Sequence, residues 1–146
     1  MTDGLPDALA SRLGYLLKYA QQALATSAAP ALAPFGIDGR ELAVLAVLGA
    51  ASPLSQQEAA EQLGIDRTTM VAMVDTLERK DLVQRRRSPL DRRKNIVELT
   101  PAGRACLEGA GQARDRAEQE FLAPLGAEAG PFVRALQILV SAARER

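Results

Sequence analysis

The chain has 146 residues, with 18 Lys and Arg against 18 Asp and Glu, one cysteine and no histidine. One cysteine excludes an intrachain disulfide, and the missing histidine removes the commonest general base and metal ligand, so neither metal nor cofactor is expected. Aromatic residues are only 3% of the chain, too few for a single-strand stacking platform, and no apolar run approaches the roughly 20 residues that span a bilayer.

Met1-Thr2-Asp3-Gly4 has no basic n-region, so no signal peptide is expected, and a cytoplasmic location follows as the expectation. Leu5, Leu9, Leu13, Leu16, Ala20 and Leu24 recur at helical spacing and predict a long helix from Asp3 to about Ala29, broken by Pro30 and Pro34. A second, mostly buried helix carries Leu42, Leu45 and Leu48 and stops at Gly49-Ala50-Ala51-Ser52-Pro53. Ser55-Gln56-Gln57-Glu58 reads as a capping box opening a short helix that ends near Leu63. Gly64 suits a turn with positive φ, and Asp66 caps the next helix, Arg67 to Lys80, with Met70, Val74 and Leu77 in one stripe.

Leu82–Arg85 and Ile96–Leu99 read as two short strands joined by a basic tip over 86–95, with Ser88-Pro89-Leu90-Asp91 as a turn. Thr100 and Pro101 open a further helix running to about Leu125. Gly126 and Gly130-Pro131 interrupt it, and a final helix places Phe132, Leu136, Leu139 and Ala143 on one face.

Helix, glycine turn, helix and hairpin in that order give a mainly α fold with a small β-hairpin, a winged helix-turn-helix with long flanking dimerisation helices. We divide the chain into an N-terminal dimerisation helix (1–33), a DNA-binding core (38–100) and C-terminal dimerisation helices (101–146), in one compact body. A helix fits the major groove and reads bases from its N-terminal residues, while a basic hairpin can enter the adjacent minor groove. Charge distribution agrees better than the net charge of zero suggests. From Glu78 to Lys94 eight cations face three anions, a net +5, which reads either as a local electrostatic footprint that orients binding or as a solvated charged face.

Leu82-Val83-Gln84-Arg85, then Asp91-Arg92-Arg93, then Val97-Glu98-Leu99-Thr100-Pro101-Ala102-Gly103, resembles the wing region of the MarR family (multiple antibiotic resistance regulators). Its pattern is L-V-x-R, D-x-R and V-x-L-T-x-x-G. Ala59–Ile65 and Val74–Glu78 match as well, so the resemblance covers Leu54 to Gly103. It implies that Arg93 enters the minor groove and that Asp91 braces the wing by pairing with it. Arg67, Thr68, Thr69, Val71 and Ala72 would form the outward face of the recognition helix, and Ser55 and Gln56 the helix start that grips phosphate. Arg85 and Arg87 are further candidate phosphate contacts, with solvation of the wing as the rival reading. The implied partners are double-stranded DNA, a second copy of the chain, and a small lipophilic or phenolic effector whose site the sequence leaves open; no membrane is implied. The implied activity is sequence-specific regulation, mostly repression, at a pseudo-palindromic operator.

Two positions depart from the pattern. Asp81 stands where the family usually has glycine after the recognition helix. Cys106 lies after the wing, whereas peroxide-sensing members carry a reactive cysteine near the N-terminus, so thiol sensing is not expected; an inert buried thiol is. Met70 and Met73 can be core or groove lining, and Tyr15 and Tyr19 can line a ligand pocket or pack in an interface. The rival functions are a winged-helix module for protein contacts, which needs no basic tip, and a small helical enzyme, for which no nucleophile motif or phosphate loop is present.

Overall fold

A computed structural model describes residues 4–50 and 53–146. Met1–Asp3, and with them the expected start of the first helix, lie outside the described residues, as do Ala51 and Ser52 in the expected break.

The first helix, α1 (Leu13–Leu32), begins later than the leucine spacing predicts. Ahead of it the chain makes tight turns, with the Arg12 N–H donating to the Leu9 carbonyl at 3.0 Å. The extended ψ of 113° at Arg12 separates these turns from the helix. Pro30 was expected to end α1 but sits inside its last turn. Proline removes a helical N–H donor and crowds the preceding turn. Burial overrides this, because Leu32 beyond it is only 1% exposed and anchors the final turn in the core. A 3-10 turn (Ala33–Phe35) with Pro34 in it then closes on Gly36, whose φ is 69°.

Helix α2 (Gly39–Ala50) opens on a reciprocal cap. Asp38 Oδ1 accepts from the Glu41 N–H at 2.9 Å, and Glu41 Oε1 accepts from the Asp38 N–H at 3.2 Å. Strand β1 (Leu54–Ser55) was not predicted, since two residues carry no readable alternation. Helix α3 (Gln56–Leu63) starts with Ser55 Oγ accepting from the Glu58 N–H at 3.1 Å; the returning Glu58 arm of the box is not formed among the described residues. Gly64, at φ 66°, turns the chain into α4 (Arg67–Arg79). There Met70, Val74 and Leu77 are buried as the stripe predicts, which places Met70 in the core.

Asp81 adopts φ 60°, alone among the described non-glycine residues in having positive φ. The aspartate takes the left-handed turn itself, at a cost of about 1 kcal/mol, and the fold is kept. Strands β2 (Val83–Arg87) and β3 (Asn95–Leu99) pair from Val83 opposite Leu99 to Arg87 opposite Asn95. The sheet has three strands in the order β1-β3-β2, all antiparallel, rather than a lone hairpin. This third strand ties the wing to the start of α3.

Thr100 caps α5 (Pro101–Leu122), its Oγ1 accepting from the Gly103 N–H at 3.0 Å. At Gly103 a Cβ would lie 1.9 Å from the Leu82 carbonyl oxygen, so only glycine lets α5 rest on the base of β2. Helix α5 ends at Leu122, short of the expected Leu125, and Gly126 (φ 54°, ψ −123°) makes the corner. Gly130-Pro131 does not interrupt a helix as expected. Both lie in the first turn of α6 (Ala129–Arg144), where proline's missing N–H would be unpaired anyway.

The core joins Leu32, Leu42, Leu45, Met70, Leu77, Val83 and Val97 from helices and sheet. Helix α6 buries none of its residues against its own chain. Among the described residues no helix is long and apolar enough to cross a membrane.

Candidate nucleic-acid interface

The starts of α3 and α4 and the wing converge on one side of the molecule. Ser55, Gln56, Arg67, Arg93 and Lys94 together line a groove of about 260 Å³ between them, floored by the buried Met70. This brings the expected wing arginine to the same concavity as the first residue of the recognition helix.

At the head of α4 the Asp66 carboxylate accepts from the Thr69 N–H at 3.0 Å and from the Thr69 hydroxyl. The hydroxyl first, then the backbone amide, hold the Asp66 carboxyl below the usual carboxylate range. Arg67, Thr68 and Ala72 are exposed, while Thr69 and Val71 are half-buried. Ser55 is 8% exposed and its hydroxyl caps α3.

Arg85 differs most from its expected role. Its side chain is 20% exposed and makes ion pairs with Asp75 at 2.7 Å and Glu78 at 3.2 Å, both on α4. Its Nε–H donates to Oε1 of Gln56 at 3.2 Å, and a terminal N–H reaches the Val71 carbonyl at 3.4 Å. A planar guanidinium with five donors suits such a multi-partner clamp. This arginine staples β2 to α3 and α4, so its guanidinium is already engaged with two carboxylates where a contact to phosphate is expected. Gln56, half-buried, has its amide oxygen held by that staple.

The remaining cations sort by partner. Lys80 pairs with Glu41 at 2.7 Å and also donates to the Gly36 carbonyl at 2.7 Å. Arg86 pairs with Glu98 across the hairpin at 3.0 Å; the Gln84 amide and then Arg86 hold Glu98 below the usual carboxylate range. Among the described residues, Arg67, Arg87, Arg92, Arg93 and Lys94 have no ion-pair partner. Arg79, in the last turn of α4, also lacks an ion pair and donates to the Thr76 hydroxyl at 3.2 Å, so the unpaired positive charge lies at the wing tip and at both ends of α4.

Asp91 does not pair with the Arg93 guanidinium. Its Oδ1 accepts from the Arg93 backbone N–H at 3.0 Å, an Asx-type turn that fixes the backbone beneath the arginine and leaves the guanidinium free. The spacing of two residues on a tight tip makes that backbone amide the nearer donor.

Sequence reading also missed the Asp38–Glu41 cap, although a D-x-x-E pattern signals it. The Lys80–Glu41 contact, 39 residues apart, left no local signal. Tyr15 and Tyr19 pack on each other, ring centroids 4.6 Å apart. Cys106 is half-buried with Sγ 4.0 Å from the Phe35 carbonyl; burial first, then the Glu41 charge, raises its pKa. Among the described residues no cluster of three or more His, Cys, Asp or Glu could hold a metal ion.

A helix-turn-helix whose second helix begins beside a basic β-wing defines the winged helix-turn-helix class. The chain belongs to the MarR family, whose sequence profile matches residues 35–94. The transcriptional repressor NicR of Pseudomonas putida is 31% identical over 106 residues, 73% of this chain and 67% of NicR. The uncharacterized HTH-type transcriptional regulator YdgJ of Bacillus subtilis is 34% identical over 93 residues, 64% of this chain. The chain spans only 57% of YdgJ's length. Among solved structures, the transcriptional repressor CouR bound to a 23-mer DNA duplex is 34% identical with a TM-score of 0.85, over 92% of this chain and 96% of that one. CouR from Rhodococcus jostii RHA1 has also been solved with p-coumaroyl-CoA, at 27% identity and a TM-score of 0.77 over 90% and 93% of the two chains. These relatives are transcriptional regulators, not enzymes.

Proposed function

We propose that this chain acts in the cytoplasm as a homodimeric repressor that binds a pseudo-palindromic DNA operator and releases it when a small lipophilic or phenolic effector binds. The observation that carries this reading is the groove shared by Arg67 at the head of α4 and Arg93 and Lys94 on the wing. It joins a major-groove helix and a minor-groove hairpin in one reading head, with cations unpaired where phosphates would lie. Arg67, Thr68, Thr69, Val71 and Ala72 face the bases, Arg87 and the N-terminal end of α3 at Gln56 meet the backbone, and Arg93 enters the minor groove. A winged helix used for protein contacts has no need of five unpaired cations on this side.

Helices α1 and α6 support the dimer. They leave Leu13, Leu17, Tyr19, Phe132, Leu139 and Val140 exposed, and Leu17 and Phe132 also line an apolar hollow of about 270 Å³ between α1, α5 and α6. Obligate interfaces are large and apolar, and a second copy's helices fit such a surface. The effector class takes its support from CouR with p-coumaroyl-CoA, a phenolic thioester. An effector releases DNA only if it binds the DNA-incompetent arrangement more tightly.

The test is a gel shift on the DNA upstream of the chain's own gene, with unlabelled specific and random competitors, followed by footprinting. Two protected half-sites about 34 Å apart are expected. Equal competition by random DNA, or one asymmetric protected half-site, would overturn the reading.

A further inference from the structure

The large apolar side chains left exposed among the described residues fall into two places. Ten of them lie on or next to α1 and on α6, the surface a second copy would cover, from Leu9 and Leu13 to Leu139 and Val140. Leu90 stands apart from these in sequence, at the wing tip, and is 97% exposed.

The turn that carries Leu90 is fixed. Ser88 Oγ accepts from the Leu90 N–H at 3.2 Å and the Asp91 N–H at 3.3 Å. The Ser88 N–H donates to the Lys94 carbonyl at 2.9 Å, closing the tip, and Pro89 limits its own φ. The leucine is therefore held outward at the apex. Its neighbours Arg87, Arg92, Arg93 and Lys94 have no ion-pair partner among the described residues. Single exposed leucines are commonplace on protein surfaces. This one is distinguished by near-complete exposure at the apex of a hydrogen-bonded turn whose sequence neighbours are positively charged. The surface complementary to it is negative at its rims and apolar within. The duplex minor groove has that form, with phosphates along the rims and deoxyribose C–H faces as walls, and proteins set apolar side chains there.

We propose that Leu90 packs against the sugar wall of the minor groove beside the site of Arg93 insertion and supplies the wing's salt-independent affinity. The proposal rests on the reading of the wing as a DNA contact. The two side chains divide the work. Arg93 answers the electrostatic potential and so responds to salt, whereas Leu90 answers the removal of apolar surface from water and so does not.

The experiment is fluorescence anisotropy of the full chain on a duplex enriched by the unaltered protein from a random library, at several salt concentrations. Leu90→Asn should weaken binding about three- to tenfold at every salt, with the slope of log K against log salt unchanged. Leu90→Met should bind within about twofold of the parent, and neither change should move the melting temperature. Binding by Leu90→Asn equal to the parent, while Arg93→Ala is impaired, would overturn this inference and leave the wing reading standing. A slope lowered by Leu90→Asn would also overturn it, because the tip, rather than an apolar contact, would then have been disturbed. If neither Leu90→Asn nor Arg93→Ala affects binding, the wing does not touch DNA and both readings fall.

Discussion

Arg85 on β2 holds Gln56 at the first turn of α3, its Nε–H donating to the glutamine Oε1 across 3.2 Å. The same guanidinium reaches Asp75 and Glu78 on α4. One side chain thus sets the wing, α3 and α4 in a fixed relation. Replacing it with glutamine leaves two half-exposed carboxylates without their cation and should destabilise the chain by about 1 kcal/mol, seen in denaturant melts. DNA binding should weaken too, but with an unchanged salt slope, since Arg85 faces inward. A slope reduced by about one unit per wing would instead mean that Arg85 meets phosphate.

Arg93→Ala should behave in the opposite way. The side chain has no ion-pair partner among the described residues, so melting should not change. Binding should weaken by about 1–3 kcal/mol, and the salt slope should fall by about one unit per wing. Asp91→Ala removes the acceptor under the Arg93 amide and should give a smaller loss, because the arginine remains on a looser turn. Anisotropy on operator and random duplexes reads all three quantities.

Asp66 links the head of the recognition helix to pH. Its folded pKa is depressed, chiefly by the Thr69 hydroxyl. A depressed carboxyl stabilises the fold fully above its unfolded pKa and loses that contribution as pH falls through the folded value. Acid should therefore loosen the start of α4 as the carboxyl protonates, seen as a lower protection factor for the Thr69 amide once the intrinsic pH dependence of exchange is removed. Asp66→Asn keeps a good N-cap and should flatten that dependence. An unchanged acid response in the asparagine variant would remove Asp66 as its source.

Sedimentation at micromolar concentration should show a species near twice the 15.6 kDa chain mass. Leu139→Asp, on the exposed stripe of α6, should shift it toward the monomer and abolish tight operator binding together. A folded monomer that still binds operator tightly would refute the dimer.

Cys106→Ser should leave effector-driven DNA release intact. Burial raises the thiol's pKa, so little thiolate is present at neutral pH, and it is the thiolate that reacts. Loss of all regulation in this variant would point to a thiol switch.

The helices, the Gly64 turn and the caps at Ser55, Asp66 and Thr100 were legible because their signals are local: a 3.6-residue stripe, or a hydroxyl or carboxylate three residues before the amide it satisfies. Pro30 misled for the complementary reason. Its local penalty was visible, but the burial of Leu32 that outweighs it was not. Among the site residues, sequence spacing put Arg93 and Arg67 on their elements, and only folding brought them to one groove. Arg85 read as one cation in a basic run, because its acids on α4 lie seven and ten residues back with a turn between. Likewise, Asp91 and Arg93 looked like an ion pair in one dimension, and the tight turn made the backbone amide the partner.

Gly103 has a mechanical meaning. With no side chain there, the Leu82 carbonyl lies directly against the backbone of α5, and the Thr100 hydroxyl donates to the Asp81 carbonyl at 2.6 Å on the same corner. The base of the wing and the head of α5 are therefore clamped as one lever arm with no compliant layer between them. Helix α5 has 22 residues, about 33 Å at 1.5 Å per residue. If its far end pivots at a dimer interface, tilting the arm by about 5° carries the wing about 3 Å, comparable to one base-pair step. A molecule wedged near the pivot could thus put two wings out of register with the groove while every contact inside the reading head stays intact.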